Sequence, residues 1–418
     1  MTSIPHELIA AIVDELQTDW DTLKSCALVS SAFCPPSQRH LFRSLWLHRE
    51  NWKHYNSAQR ELQDGVTVPA GTIKGAFHLL SKSPHLAAYV RDLIIDLPDS
   101  ADEDLPLAHV LRSAQNLERF VFCGLAGSWG DIPAPLVEAL LEVFARPSLR
   151  GLHFLHLHRI PPAVVNRALE SVRVLSFINT SAYTSSEEGN EDSDDDAERQ
   201  DEIRSASGRT SILEELVLSL NMPSIHTRIL SLQAPPLTKL RKLCFMGDRP
   251  LYDRLLRSFA GTLRHLEFEC MDLVNVLHLR LPTLSSLKSL QSLKLHISCG
   301  LGRRLPDGFA QTLADLPPIS SLHLVFLVYD SVAPDLWIHE VGPLPGFPPH
   351  PHTHTEVGYR GKITVHCQLV ILDPPHTGSD RDGLFSSFCE GIGLAFSGLD
   401  VEFERVDGQV SYIARLPL

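Results

Sequence analysis

The 418-residue sequence predicts a chain of the α+β or α/β class, in which a short three-helix unit precedes a solenoid of parallel strands and helices. Three observations predict it. Apolar residues recur at helical spacing within the first 47 positions, and a hydrophobic-x-x-Leu-x-hydrophobic string then returns nine times between residues 90 and 324. Helical stretches stand in the intervals, as in "PLVEALLEVFA" at 135–145, "AVVNRALESV" at 163–172 and "LYDRLLRSFA" at 251–260.

The helical unit divides at its own punctuation. In "SIPHELIAAIVDEL", Ile4, Leu8, Ile9, Ile12, Val13 and Leu16 follow a helical period, with Ser3 placed to cap and Pro5 in the first turn, where its missing N–H costs nothing. A second helix is expected from Asp21 through Leu23, Cys26, Ala27 and Val29. A third follows Pro35-Pro36, with Ser37 as its cap and Leu41 and Phe42 on the buried side. The unit, residues 1–47, is too small to bury so many apolar side chains on itself. Something must cover it, and two readings stand: it caps the N-terminal end of the array that follows, as terminal units of repeat proteins do, or it docks a partner.

The order Ile4-Pro5-x-Glu7-Leu8-Ile9-x-x-Ile12-Val13-x-x-Leu16, then Leu23, Cys26-Ala27-Leu28-Val29-Ser30, Phe33 and Ser37-x-Arg39-x-Leu41-Phe42, resembles an F-box, and most closely the F-box-like motif of the large fungal families. Ile4 replaces the usual leucine and Phe33 stands where tryptophan is common; both keep a bulky apolar group. The resemblance implies a chain that docks on the Skp-type adaptor of a cullin-RING ubiquitin ligase and selects a protein substrate with its remainder. Carried over position by position, the adaptor face is Ile4, Pro5, Leu8, Ile9, Leu28, Val29 and Phe33.

Residues 48–330 hold the nine strings: "VRDLII", "LERFVF", "LRGLHF", "VRVLSF", "LEELVL", "LRKLCF", "LRHLEF", "LQSLKL" and "ISSLHL". Their fourth positions fall at 93, 120, 152, 175, 216, 243, 266, 293 and 322, so that one interval, 41 residues, is longer than the rest. That interval contains "SSEEGNEDSDDDAERQDE" at 185–202, and removing those 18 residues restores a spacing of 23 (41 − 18). The run therefore reads as a solvated acidic insertion within one repeat. The spacing and the Leu-x-Leu strand resemble degenerate leucine-rich repeats, which implies a horseshoe with strands on its concave face. With strands about 4.8 Å apart, nine give a strip on the order of 40 Å long.

Side chains alternate across a strand, so the fourth and sixth residues of each string face the core and the fifth faces the groove. Those fifth positions are Ile94, Val121, His153, Ser176, Val217, Cys244, Glu267, Lys294 and His323, apolar at first and charged later. From them, His153, Val217, Glu267, Lys294 and His323 are the candidate substrate contacts; simple solvation of these positions is the other reading. After residue 330 the pattern fades. "KITVHCQLVIL" and "LDVEFERV" alternate as strands and "LFSSFCEGIGLAF" reads as a helix, so that 331–418 form an atypical unit closing the solenoid.

Composition excludes several functions. The net charge of −13 is concentrated: ten acids and one arginine in 185–202 give −9 and leave −4 for the rest, with no basic stripe to meet a nucleic acid. No stretch reaches a membrane span, and Glu7, Asp14 and Glu15 stand where a signal peptide would be apolar. A cytoplasmic or nuclear chain with no membrane contact is expected. Eight scattered cysteines without a CxxC pair suggest neither a zinc site nor a disulfide framework. His350, His352 and His354 alternate among prolines without an acidic or cysteine partner and read as a solvated tract, so no metal is expected. "GLGRRL" at 300–305 and "GIGLAF" at 391–396 are fragments of phosphate loops, and GxSxG, HExxH and GxxxxGK are missing. The expectation is a non-enzyme without cofactors: a substrate-recognition subunit of a Skp-cullin-type ligase, with an interaction scaffold of the same repeats but no ligase role as the alternative.

Overall fold

The computed structural model describes residues 4–48, 70–97, 101–182, 211–219, 225, 229–230, 237–246, 249–270, 284–299, 316–317, 319–328, 364–371, 385–386, 389–390 and 400–407. The chain divides into two compact units, Met1–Leu213 with Ser411–Leu418 and Glu214–Val410. The acidic run at 185–202, the histidine tract at 350–354 and most of the expected C-terminal helix lie outside the described residues.

The first unit opens with helices α1 (His6–Asp14), α2 (Trp20–Val29) and α3 (Cys34–Leu41). Pro5 is the N-cap of α1 rather than part of its first turn, and its carbonyl accepts from the Leu8 and Ile9 amides at 3.1 and 3.2 Å. Asp19 caps α2 by accepting from the Thr22 amide at 3.0 Å, which fixes the start one residue before the expected Asp21. Helix α3 also begins early. Proline fixes φ in the helical range and its missing N–H falls among the free donors of a first turn, so the prolines lie inside the helix and Ser37, expected as the cap, is buried within it. Val13, Leu23 and Leu41 form the core of the three helices, with Leu16, Trp20, Ala27, Phe33 and Phe42 packed around them.

A parallel sheet follows: β1 (Ser44–His48), β2 (Ala70–Thr72), β3 (Asp92–Asp96), β4 (Arg119–Ser128), β5 (Gly151–His158) and β6 (Val174–Ile178), in the order β2-β1-β3-β4-β5-β6. Helices α4 (Ile73–Lys82), α5 (Ala101–Ser113), α6 (Ala134–Phe144) and α7 (Pro162–Ser171) stand between strands, as parallel pairing demands a crossover. The expected boundary at residue 47 falls inside β1, whose Leu45 and Leu47 pair with Leu93 and Ile95.

The second unit holds β7 (Glu215–Leu218), β8 (Lys242–Met246), α8 (Arg249–Ser258), β9 (His265–Cys270), β10 (Ser292–Cys299), β11 (Ser321–Val328), β12 (Thr364–Ile371) and β13 (Asp400–Asp407). Its strands pair in chain order, all parallel. The expected closing unit therefore contributes β12 and β13 to the same sheet, with Val365 in register with Leu322 and Val401 with Val365.

The nine strings fall on nine strands, and their fourth residues lie in line. Leu93, Phe120, Leu152 and Leu175 pair across the first unit, and Leu216, Leu243, Leu266, Leu293 and Leu322 across the second. None of these nine, nor the sixth residues from Ile95 to Leu324, exceeds 2% exposure. One face of each sheet is thus core. Phe144 of α6 meets Phe120 and Phe154 with ring centres 6.3 and 5.8 Å away, and Phe154 stacks on Phe177 at 5.4 Å. In the first unit the helix side is occupied in this way, and in each unit the opposite face is left to the residues between, from Ile94 and Val121 to Glu267 and Lys294.

Candidate functional site

Two surfaces hold the residues singled out in the sequence. The first lies on the N-terminal helices. Helix α1 carries more apolar residues than one stripe can bury: Ile9 and Val13, four apart, turn inward, while Leu8 and Ile12 line the neighbouring side at 56% and 50% exposure; Ile4, ahead of the Pro5 N-cap, is 56% exposed. In α2, Leu23 and Ala27 reach the core, so Leu28 and Val29, one and two residues on, point away and are 88% and 72% exposed. Of the seven positions expected to meet an adaptor, Ile4, Pro5, Leu8, Leu28 and Val29 are exposed. Phe33 is half-buried against the helical core. Ile9 departs from the expectation, since at 5% exposure its side chain serves the core. Ile12 was not among the seven, although its spacing from Leu8 already placed it on the same side of the helix.

The second kind of surface is, within each unit by itself, the sheet face opposite the core. It is not open at every candidate position. His153 and Val217, expected to contact substrate, are 1% and 3% exposed. His153 is closed in by Ser176 on the next strand, with its Nδ1 2.8 Å from the Ser176 Oγ, and by Arg119 on the strand before. Burial, and secondarily the Arg119 charge, hold its imidazole down at about 4. These positions are interior ones.

Glu267, Lys294 and His323 behave differently. The register sets them side by side and continues through His366 to Glu402, giving one lateral row across β9 to β13. Glu267 accepts from the Lys294 ammonium at 3.2 Å and lies 2.7 Å from His296 Nε2. Burial pushes the Glu267 carboxyl up, but the His296 bond and the Lys294 and His296 charges outweigh it and hold it at about 2. The His323 and His366 rings stack with centres 4.4 Å apart, and His366 Nδ1 reaches Glu402 at 2.7 Å. Burial lowers His323 first, then the His366 and Lys294 charges; Glu267 and Glu402 oppose them. A second row places Gln368 beside Glu404, to which it donates at 2.9 Å.

Lys294, His323, His366, Gln368, Glu402 and Glu404 border a pocket of about 420 Å³. The alternation of β12 and β13 was legible in the sequence, but their register against Lys294 and His323 was not, so His366, Gln368, Glu402 and Glu404 were missed. The row is a set of ion pairs and hydrogen bonds able to exchange partners with a charged ligand. Among the described residues, no three His, Cys, Asp or Glu side chains gather as metal ligands, and no helix is long and apolar enough to cross a membrane. No protein-family model matches the chain, and no curated protein does.

Proposed function

We propose that the chain is a substrate-recognition subunit of a Skp-cullin-type ubiquitin ligase, without catalysis of its own. Its N-terminal helices dock the Skp-type adaptor, and its strands, read as degenerate leucine-rich repeats, hold a protein substrate. The observation that carries this reading is the exposure of Leu8, Ile12, Leu28 and Val29 on helices that already possess a core, with Ile4 exposed just ahead of them. Apolar side chains gathered on one small unit mark an interaction surface, because each leaves water favourably on association. The F-box-like order of the same residues names the partner. For the substrate surface, the support is the row from Glu267 through Lys294 and His323 to Glu402.

A second reading has an observation of its own. Helix α3 packs on the turn at Pro84–Tyr89, and the Arg43 carbonyl accepts from the Arg91 and Asp92 amides at 2.8 and 2.9 Å. The helices thereby also cover the start of the sheet, as an interaction scaffold without a ligase role would require. The two readings use different sides of the unit. Replacing Leu8 and Val29 together by Asp places charges on the α1 and α2 side alone. Loss of a purified Skp-type adaptor in pull-down, with an unchanged thermal melt, is the result expected for the ligase subunit. Undiminished adaptor capture by the double variant overturns it, and absence of capture by the wild-type chain leaves the scaffold.

A further inference from the structure

The cavity on the polar face of β10 to β13 carries more fixed negative than positive charge. Two registered rows line it: Lys294, His323, His366 and Glu402 in one, Val325, Gln368 and Glu404 in the other. Glu402 and Glu404 lie two residues apart on one face of β13, about 7 Å between Cα atoms. A side chain of β12 orients each carboxylate: His366 Nδ1 lies 2.7 Å from Glu402 Oε2, and Gln368 Nε2 donates to Glu404 Oε2 at 2.9 Å. Both Oε1 atoms remain to accept from a ligand, and both side chains are exposed. Among the described residues that line the cavity, Lys294 is the only lysine or arginine. Its ammonium bonds Glu267 at 3.2 Å, on the side away from β13, and three strand spacings of about 4.8 Å separate β10 from β13. Its charge is therefore spent on Glu267.

We propose that this cavity binds an arginine side chain presented by a protein partner. The guanidinium spans Glu402 and Glu404, because its planar fork of N–H donors can serve two fixed carboxylates at once, whereas a lysine ammonium is a point charge on a mobile stem. The His323 and His366 rings, stacked with centres 4.4 Å apart, and the Val325 side chain give the wall and floor along which the methylene stem lies. A divalent cation is the poorer occupant: it gathers about six or more oxygen ligands, and here two carboxylates are each tied to a separate neighbour. That the arginine belongs to a ubiquitylation substrate rests on the function proposed above; the guanidinium site itself does not.

The probe is N-acetyl-L-arginine amide, whose blocked ends imitate a residue within a chain, titrated against the full-length protein and followed by saturation-transfer NMR of the ligand. The citrulline analogue, uncharged and of nearly the same shape, and the lysine analogue are measured beside it. Arginine is expected to bind about tenfold or more tighter than citrulline and severalfold tighter than lysine, with a severalfold loss in about 0.5 M salt. Glu402→Gln with Glu404→Gln should weaken arginine about tenfold and leave citrulline unchanged. Glu404→Gln alone serves if the double variant impairs folding, with a smaller loss expected. Equal affinity for arginine and citrulline overturns the proposal, as does equal affinity for lysine. Undiminished arginine binding by the variants also overturns it, and so does failure of the wild-type chain to bind. Tighter binding of free L-arginine than of the blocked form makes the occupant a small molecule and overturns its assignment to a protein. Adaptor capture by the wild-type chain is measured in parallel, and its failure bears on the N-terminal helices alone.

Discussion

His153 Nδ1 and Ser176 Oγ lie 2.8 Å apart at paired positions of β5 and β6, and neither side chain is more than 1% exposed. A neutral imidazole is therefore part of the interior. Its folded value of about 4 lies below the ordinary 6.5, so the unfolded chain binds the proton more readily between those limits. The stability it supports is present above pH 6.5 and is lost as the pH falls toward 4, by on the order of 3 kcal/mol. Urea denaturation at pH 7 and pH 4.5 measures this. His153→Asn should flatten the profile in that window, and an unchanged slope in the variant would assign the loss to other groups.

Glu267 titrates in a lower window. Its folded value of about 2 lies below the ordinary 4.5, so its contribution is present above pH 4.5 and disappears as the pH falls through 2. Glu267→Gln should cost about 1 to 3 kcal/mol at pH 7, since it removes the charge that Lys294 and the nearly buried His296 share. The same variant should lose less than wild type between pH 4.5 and 2. A stability equal to wild type at neutral pH would show that the cluster is not held in solution.

The two faces of β8 to β10 should respond unequally to truncation. Leu243 is fully buried between Leu216 and Leu266, and Leu243→Ala should cost about 2 to 5 kcal/mol. Lys294, 40% exposed and bonded to Glu267, should cost about 1 kcal/mol or less on change to Ala. A larger loss for Lys294→Ala than for Leu243→Ala in chemical denaturation would mean that the faces are reversed.

Gly124 lies where β4 and β5 lose their regular register. A Cβ there would stand 2.8 Å from the His156 carbonyl oxygen and 3.0 Å from the Leu157 Cα, both backbone atoms that cannot swing aside. Gly124→Ala should therefore destabilise the first unit by about 1 to 3 kcal/mol, measured by thermal melting. A neutral result would imply that the strands separate readily at this point.

The strands were legible because their signal is local. An alternation of large apolar residues states which face is buried without reference to any neighbour, and all nine strings met that condition, with Leu93 and Leu322 as buried as those between. The helical period of α1 was equally plain, but period alone cannot say which of two adjacent apolar stripes turns inward. That choice went to Ile9 and Val13 over Leu8 and Ile12 because α2 and α3 close on one side only. The starts of α2 and α3 shifted for a related reason, since Asp19 and the proline pair act through the geometry of a single turn.

The sequence by itself determined the kind of strand at each string, its core residues, and the apolar excess at the N-terminus, for each follows from side-chain spacing along one segment. Tertiary structure alone decided what the intervening residues became. His153 and Glu267 hold the same place in their strings, yet one is enclosed by Ser176 and Arg119 while the other shares its charge with Lys294 and His296. Their fates differ because a residue on this face is surrounded by neighbours 23 to 34 residues away in sequence, and parallel register, which no single strand encodes, chooses those neighbours.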